Sequence, residues 1–95
     1  MADRQASLQV LRQVHEFPGP YVFKVIGENT PDFVARVVQV AVVVLGPTTV
    51  PAISIRQSSG GKHQSITLTV RVNDAERVLD IYQFLGLVSG VRFLL

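Results

Sequence analysis

The sequence predicts an α+β fold, a ferredoxin-like βαββαβ sandwich with a four-stranded antiparallel sheet and two helices on one face. Three observations point to it. A β-branched and aromatic run, Tyr21–Ile26, is followed closely by a capped helix start at Thr30-Pro31-Asp32. Two alternating apolar and polar segments, Ile53–Ser58 and Ser65–Val72, flank a turn-forming Ser59-Gly60-Gly61-Lys62. A second amphipathic run after Asn73 leads into a short apolar end, Val91–Leu95. Strand, helix, strand, strand, helix, strand closes in few ways, because crossovers in a sheet are right-handed.

The elements follow in order. Residues 1–15 are an N-terminal extension with two readings. Leu8, Leu11 and Val14 recur at a spacing of three, which supports one short helix over about residues 3–14. Such a segment is marginal alone, so a frayed extension docked loosely on the domain is the other reading. Pro18-Gly19-Pro20 stops any helix, and residues 16–95 form the ferredoxin-like domain. Gly27 is expected to end the first strand. In the helix after Thr30, Phe33, Val37, Val40, Ala41 and Val44 share one face, and Gly46-Pro47 closes it. Asn73 and Glu76 resemble a capping box for the second helix, which buries Val78, Ile81, Tyr82, Leu85 and Val88 and is broken by Gly90. The expected sheet core is Phe23, Val25, Ile53, Ile55, Ile66, Leu68, Val70, Val72, Val91 and Phe93.

Composition removes several functions. Of 95 residues, 47% are hydrophobic and 17% charged, a globular balance. There is no cysteine, which excludes disulfides, thiolate metal sites and cysteine nucleophiles. Met1–His15 has no long apolar run and does not read as a secretory signal. The longest apolar stretch, Val40–Leu45, is too short to span a bilayer. The expected location is cytoplasmic, away from membranes. Net charge is +2, with seven arginines to two lysines, which is mildly basic for a nucleic-acid binder. His15 and His63 are the only histidines, and neither has a carboxylate at metal-ligand spacing. No metal, cofactor or catalytic residue is expected, and the chain does not read as an enzyme. Gly27-Glu28-Asn29 after the first strand also has the wrong charge for the phosphate loop of a small acyl-phosphate hydrolase.

Short anchors in a fixed order carry a family resemblance. Phe17-Pro18, Lys24-Val25-Ile26-Gly27, Ser58-Ser59 with Gly61, Ser65 and Val91-Arg92 resemble the YbeD-like family of small bacterial proteins of unassigned function. The resemblance runs from about residue 16 to the end. It implies a ferredoxin-like fold similar to the regulatory ACT domains of amino-acid enzymes, and a bacterial cytoplasmic setting. It also implies a homodimer, since ACT-like domains place ligands where two copies meet. His63 and Gln64 depart from the family, which tends to have Tyr and His there.

Candidate binding residues come from the alternation of the strands. If Phe23 and Val25 point to the helices, Val22, Lys24 and Ile26 point away. Ser54, Arg56 and Ser58 share that open face, as do Ser65, Thr67, Thr69, Arg71, Arg92 and Leu94, and no acid joins them. The hairpin could add an anion nest at Ser59, Gly61 and Lys62. The candidate contacts for a small anionic ligand or a protein partner are therefore Lys24, Arg56, Ser58, Ser59, Gly61, Lys62, Arg71 and Arg92. A solvated polar face is the ordinary alternative for an antiparallel sheet. A weak nucleic-acid site using Lys24, Arg56, Arg71 and Arg92 is the other function class. The expected absence of an aromatic on this face argues against base stacking. Phe84 and Leu87 stand on the polar side of the second helix and mark a protein contact, with Val43 beside them, unless Leu8 and Leu11 of the extension cover them.

Overall fold

The computed structural model describes residues 3–95. Its elements are α1 (Arg4–Val14), β1 (Gly19–Glu28), α2 (Pro31–Leu45), β2 (Ala52–Gln57), β3 (His63–Val72), α3 (Ala75–Gly86) and β4 (Val91–Leu94). The four strands form one antiparallel sheet in the order β2-β3-β1-β4. This is the ferredoxin-like α+β arrangement, with one helix added at the N-terminus.

The long central pair sets everything else. β1 and β3 are matched from Gly19 opposite Val72 to Glu28 opposite His63. That register puts Phe23 and Val25 beside Leu68 and Ile66, and all four are buried. Phe33, Val37 and Ala41 of α2, and Val78, Ile81 and Leu85 of α3, complete the core over them. Thr30 caps α2, its Oγ1 accepting from the Phe33 amide at 3.1 Å, and Gly46 ends it with a φ of 84°. The cap of α3 is Asp74 rather than Asn73. Its carboxylate accepts from the Arg77 amide at 2.9 Å, and a charged acceptor suits the positive end of the helix dipole. The helix stops at Gly86, before Gly90, which serves the turn into β4 with a φ of 99°.

The N-terminal segment is a docked helix. Asp3 caps it, Leu8 is buried, and Leu11 packs against the core. Ion pairs from Arg4 to Asp80 and from Arg12 to Glu76 fasten it to α3. The His15 and Tyr21 rings meet at a tilt of 56° with centroids 4.8 Å apart, and the Tyr21 and Tyr82 rings each lie 4.9 Å from the Phe23 ring. Burial, then the nearby Tyr21 hydroxyl, push Tyr82 well above the usual phenol range.

Three expectations about the sheet are corrected. Gly27 does not end β1, which runs on to Glu28. A Cβ at Gly27 would collide with the Gly90 carbonyl and the Phe33 ring, so glycine is what lets β4 and α2 close on the strand here. At the same place the β1–β4 register shifts, so that Ile26 faces Phe93 and Val25 faces Leu94. The shift reverses the expected phase at Phe93 and Leu94, while Val91 packs against the core as expected. Leu94 packs against the core, while Phe93 turns to the open face and is 64% exposed. Finally, Ile53 and Ile55 lie on the helix side of edge strand β2 but remain 41% and 49% exposed. They belong to the outermost strand, which the helices do not cover.

Candidate functional site

The open face carries a depression of about 420 Å³ where β1, β3 and the end of β2 meet. Its shape follows from the registers. Arg56 on β2 lies opposite Ser65 on β3, and Ser65 lies opposite Ile26 on β1. Lys24, one alternation back along β1, is opposite Thr67. Ser58, Ser59 and His63 close the hairpin end. Lys24 and Arg56 are exposed, and neither forms an ion pair with a described residue. Among the described residues no carboxylate lines the depression. The nearby Glu28 is held by Arg36 at 3.2 Å, and that guanidinium also donates to the Ser89 carbonyl.

Ser65 is the least ordinary residue here. Its Oγ is buried and has no hydrogen-bond partner among the described residues. A buried polar atom left so costs the domain on the order of 1–3 kcal/mol. It lies between an arginine and an apolar side chain, at the depression.

The hairpin turn is internally bonded. The Gly61 amide donates to the Ser58 carbonyl at 3.0 Å, and the His63 amide donates to Ser58 Oγ at 3.2 Å. The Gly61 carbonyl accepts from Asn29 Nδ2 at 2.8 Å. Both backbone groups of Gly61 are thus committed to the fold, and a nest using its amide does not form. Gly61 has a φ of 69°, the conformation its place in the turn requires.

The candidate residues separate into groups. Lys24, Arg56, Ser58 and Ser59 come together in the depression. Gly61 and Lys62 stand in the adjoining turn and do not line it. Arg71 is at the far end of β3, about 20 Å from Ser65 at strand rise, beside Thr48, Thr49, Asn73 and Arg77. Arg92 lies on β4 at the opposite edge of the sheet. The four basic residues offered as a nucleic-acid track therefore do not form one patch. The site residues that the alternation undervalued are His63, Ser65 and Ile26. Gln64, on the other side of β3, is buried and donates to the Glu28 and Thr30 carbonyls at 2.9 and 2.8 Å, which fixes the β1–α2 connection beside the site.

A second concavity lies between α2 and α3. It measures about 390 Å³ and is lined by Val40, Val43, Val44 and Phe84, with Gln39, Arg77 and Asp80 at its rim. Phe84 is half-exposed and Leu87 more so. Among its described residues the extension does not cover Phe84. Leu8 and Leu11 of α1 go elsewhere on α3, Leu11 beside Leu79 and Tyr82. Among the described residues no three His, Asp or Glu side chains gather as a metal site, and no helix is long and apolar enough to cross a membrane.

Comparison with known proteins agrees with this architecture. The chain is similar to the ACT domain from the GTP pyrophosphokinase of Chlorobium tepidum, with a TM-score of 0.63 at 14% identity over 80% of this chain and 94% of that one. It is similar to protein HP0495 from H. pylori, with a TM-score of 0.69 at 17% identity over 86% of each chain. In sequence it is 32% identical over 85 residues to the UPF0250 protein YbeD of Escherichia coli O1:K1, covering 90% of this chain and 95% of the relative. A UPF0250 protein of Klebsiella pneumoniae is 33% identical over the same span. Residues 12–95 match the model of DUF493, a protein family of unknown function. With an ACT-like fold and relatives along nearly its whole length, the chain belongs to the DUF493 family, the YbeD-like group of bacterial proteins.

Proposed function

We propose that this chain is a non-catalytic regulatory module of the bacterial cytoplasm that binds a small anionic metabolite in the open-face depression. One observation carries the reading: the buried Ser65 hydroxyl, unpartnered among the described residues, lies among Lys24, Arg56, Ser58 and Ser59 in a depression that no described carboxylate lines. In the free protein the hydroxyl goes unsatisfied and the two exposed cations have no counter-ion among the described residues. An anion gives the two cations a counter-charge and the hydroxyl an acceptor, so binding relieves costs that folding leaves in place. The likeness to the ACT domain of a GTP pyrophosphokinase supports a regulatory role. The half-exposed Phe84 favours a second reading, a protein partner at the α2–α3 groove, with Leu87 at its edge.

A thermal-shift panel of phosphorylated and carboxylate metabolites at low salt tests the first reading. A ligand at a hundred times its Kd adds about 2.7 kcal/mol. The melting temperature of this domain is then expected to rise by several degrees, and a Lys24→Gln, Arg56→Gln double variant is expected not to respond. An equal response in the double variant would sink the reading.

A further inference from the structure

Phe93 is an aromatic side chain turned to the open face at 64% exposure. It lies directly opposite Ile26, because the register shifts just past that residue. Ile26 lies opposite Ser65, and Ser65 opposite Arg56. One row of side chains therefore crosses the sheet in the order Arg56, Ser65, Ile26, Phe93. Its β2 end is cationic, its middle holds the unpartnered hydroxyl, and its β4 end is apolar. Lys24 belongs to the next row. It exchanges backbone hydrogen bonds of 3.0 and 2.9 Å with Leu95, whose exposed side chain extends the apolar end.

Neighbouring strands lie about 4.8 Å apart, so roughly 10 Å separates Ser65 from Phe93 across the face. A cationic cluster and an apolar platform at that separation suit a molecule whose two ends differ. Lys24, Arg56 and Ser65 approach from three strands, which matches the several oxygens of a tetrahedral anion. An aromatic ring on the same molecule would cover Ile26 and stack on Phe93, as ring pairs favour. One aromatic on an edge strand gives a single stacking position rather than the succession that single-stranded nucleic acid uses.

We infer that the open face takes a ring-bearing phosphate monoester, its phosphate held by Lys24, Arg56 and Ser65 and its ring laid over Ile26 and Phe93. The inference rests on the anion-binding reading and adds the second half of the ligand.

The test titrates 1-naphthyl phosphate and inorganic phosphate separately into the protein by calorimetry. The wild type is expected to bind the naphthyl ester at least about tenfold more tightly than phosphate, a difference of about 1.4 kcal/mol. Phe93→Ala is expected to remove that advantage while leaving phosphate affinity unchanged, and Phe93→Tyr to keep it. Phe93 is exposed, so neither change threatens the fold. Equal wild-type affinity for the two probes would overturn this inference and leave the anion site standing. A naphthyl advantage that survives Phe93→Ala would overturn it as well. Binding of neither probe would overturn both readings.

Discussion

The two faces of the sheet are built from alternate residues of the same strands and follow opposite rules. On the covered face, Phe23, Val25, Ile66 and Leu68 are fully buried against two helices, and every side chain there has apolar neighbours. On the open face, the residues alternating with them are Lys24, Ile26, Ser65 and Thr67, and one buried hydroxyl has no partner among the described residues. The covered face is satisfied by folding alone. The open face is left with unmatched charge and an unmatched hydroxyl donor. Features that cost stability without helping the fold are expected where a protein binds something. A substitution on one face should therefore move stability, and its immediate neighbour on the other face should move binding.

The largest effect should come from the covered face. Phe23→Ala removes a fully buried ring from the centre of the core. It is expected to cost roughly 3–5 kcal/mol. An unchanged melting temperature would contradict the register of β1. The opposite sign is expected at Ser65, on the neighbouring strand β3 and on the open face. Ser65→Ala removes the unpartnered hydroxyl and should stabilise the free protein by about 1 kcal/mol, read as a higher midpoint in urea. The same variant should bind anions more weakly. A destabilised Ser65→Ala would mean that the hydroxyl has a stabilising role in the free fold, and the contrast between faces would weaken.

The smallest effect concerns Tyr82. Its phenol is raised above the usual range by burial, then by the Tyr21 hydroxyl. A group whose folded-state value is raised contributes its stability fully below the unfolded value, near pH 10, and loses it as pH climbs further. Thermal melts between about pH 9 and 11 should therefore show wild-type stability falling more steeply than that of Tyr82→Phe. Parallel pH profiles would remove Tyr82 from the account of alkaline unfolding.

The covered face was legible in the sequence because local signals and burial agree there. Thr30-Pro31-Asp32 marks a helix start by cap chemistry alone, and the alternation in Ser65–Val72 fixes one strand's phase without knowledge of its neighbours. The open face was legible only in part. Lys24 and Arg56 followed from the same alternation. Phe93 did not, because its phase depends on the register shift opposite Ile26 and Gly27, which is a property of two strands and not of one. Gly27 was the available signal, since an isolated glycine in a strand marks a bulge or a close approach as often as an end. Ile53 and Ile55 read as core residues for a related reason. Alternation gives the side of a strand but does not say that the strand is an edge. Asn73 and Asp74 both suit a helix cap, and only the observed bond to Arg77 separates them.

The central claim is that the depression on the open face is an anion site. Amide proton–nitrogen spectra recorded during titration with inorganic phosphate test it most directly. The account predicts shifts gathered at Lys24, Arg56, Ser58, Ser59, His63 and Ser65, with Val40, Phe84 and Arg71 left in place. Shifts centred instead on the α2–α3 groove or around Arg71, or no saturable shift at all, would contradict it.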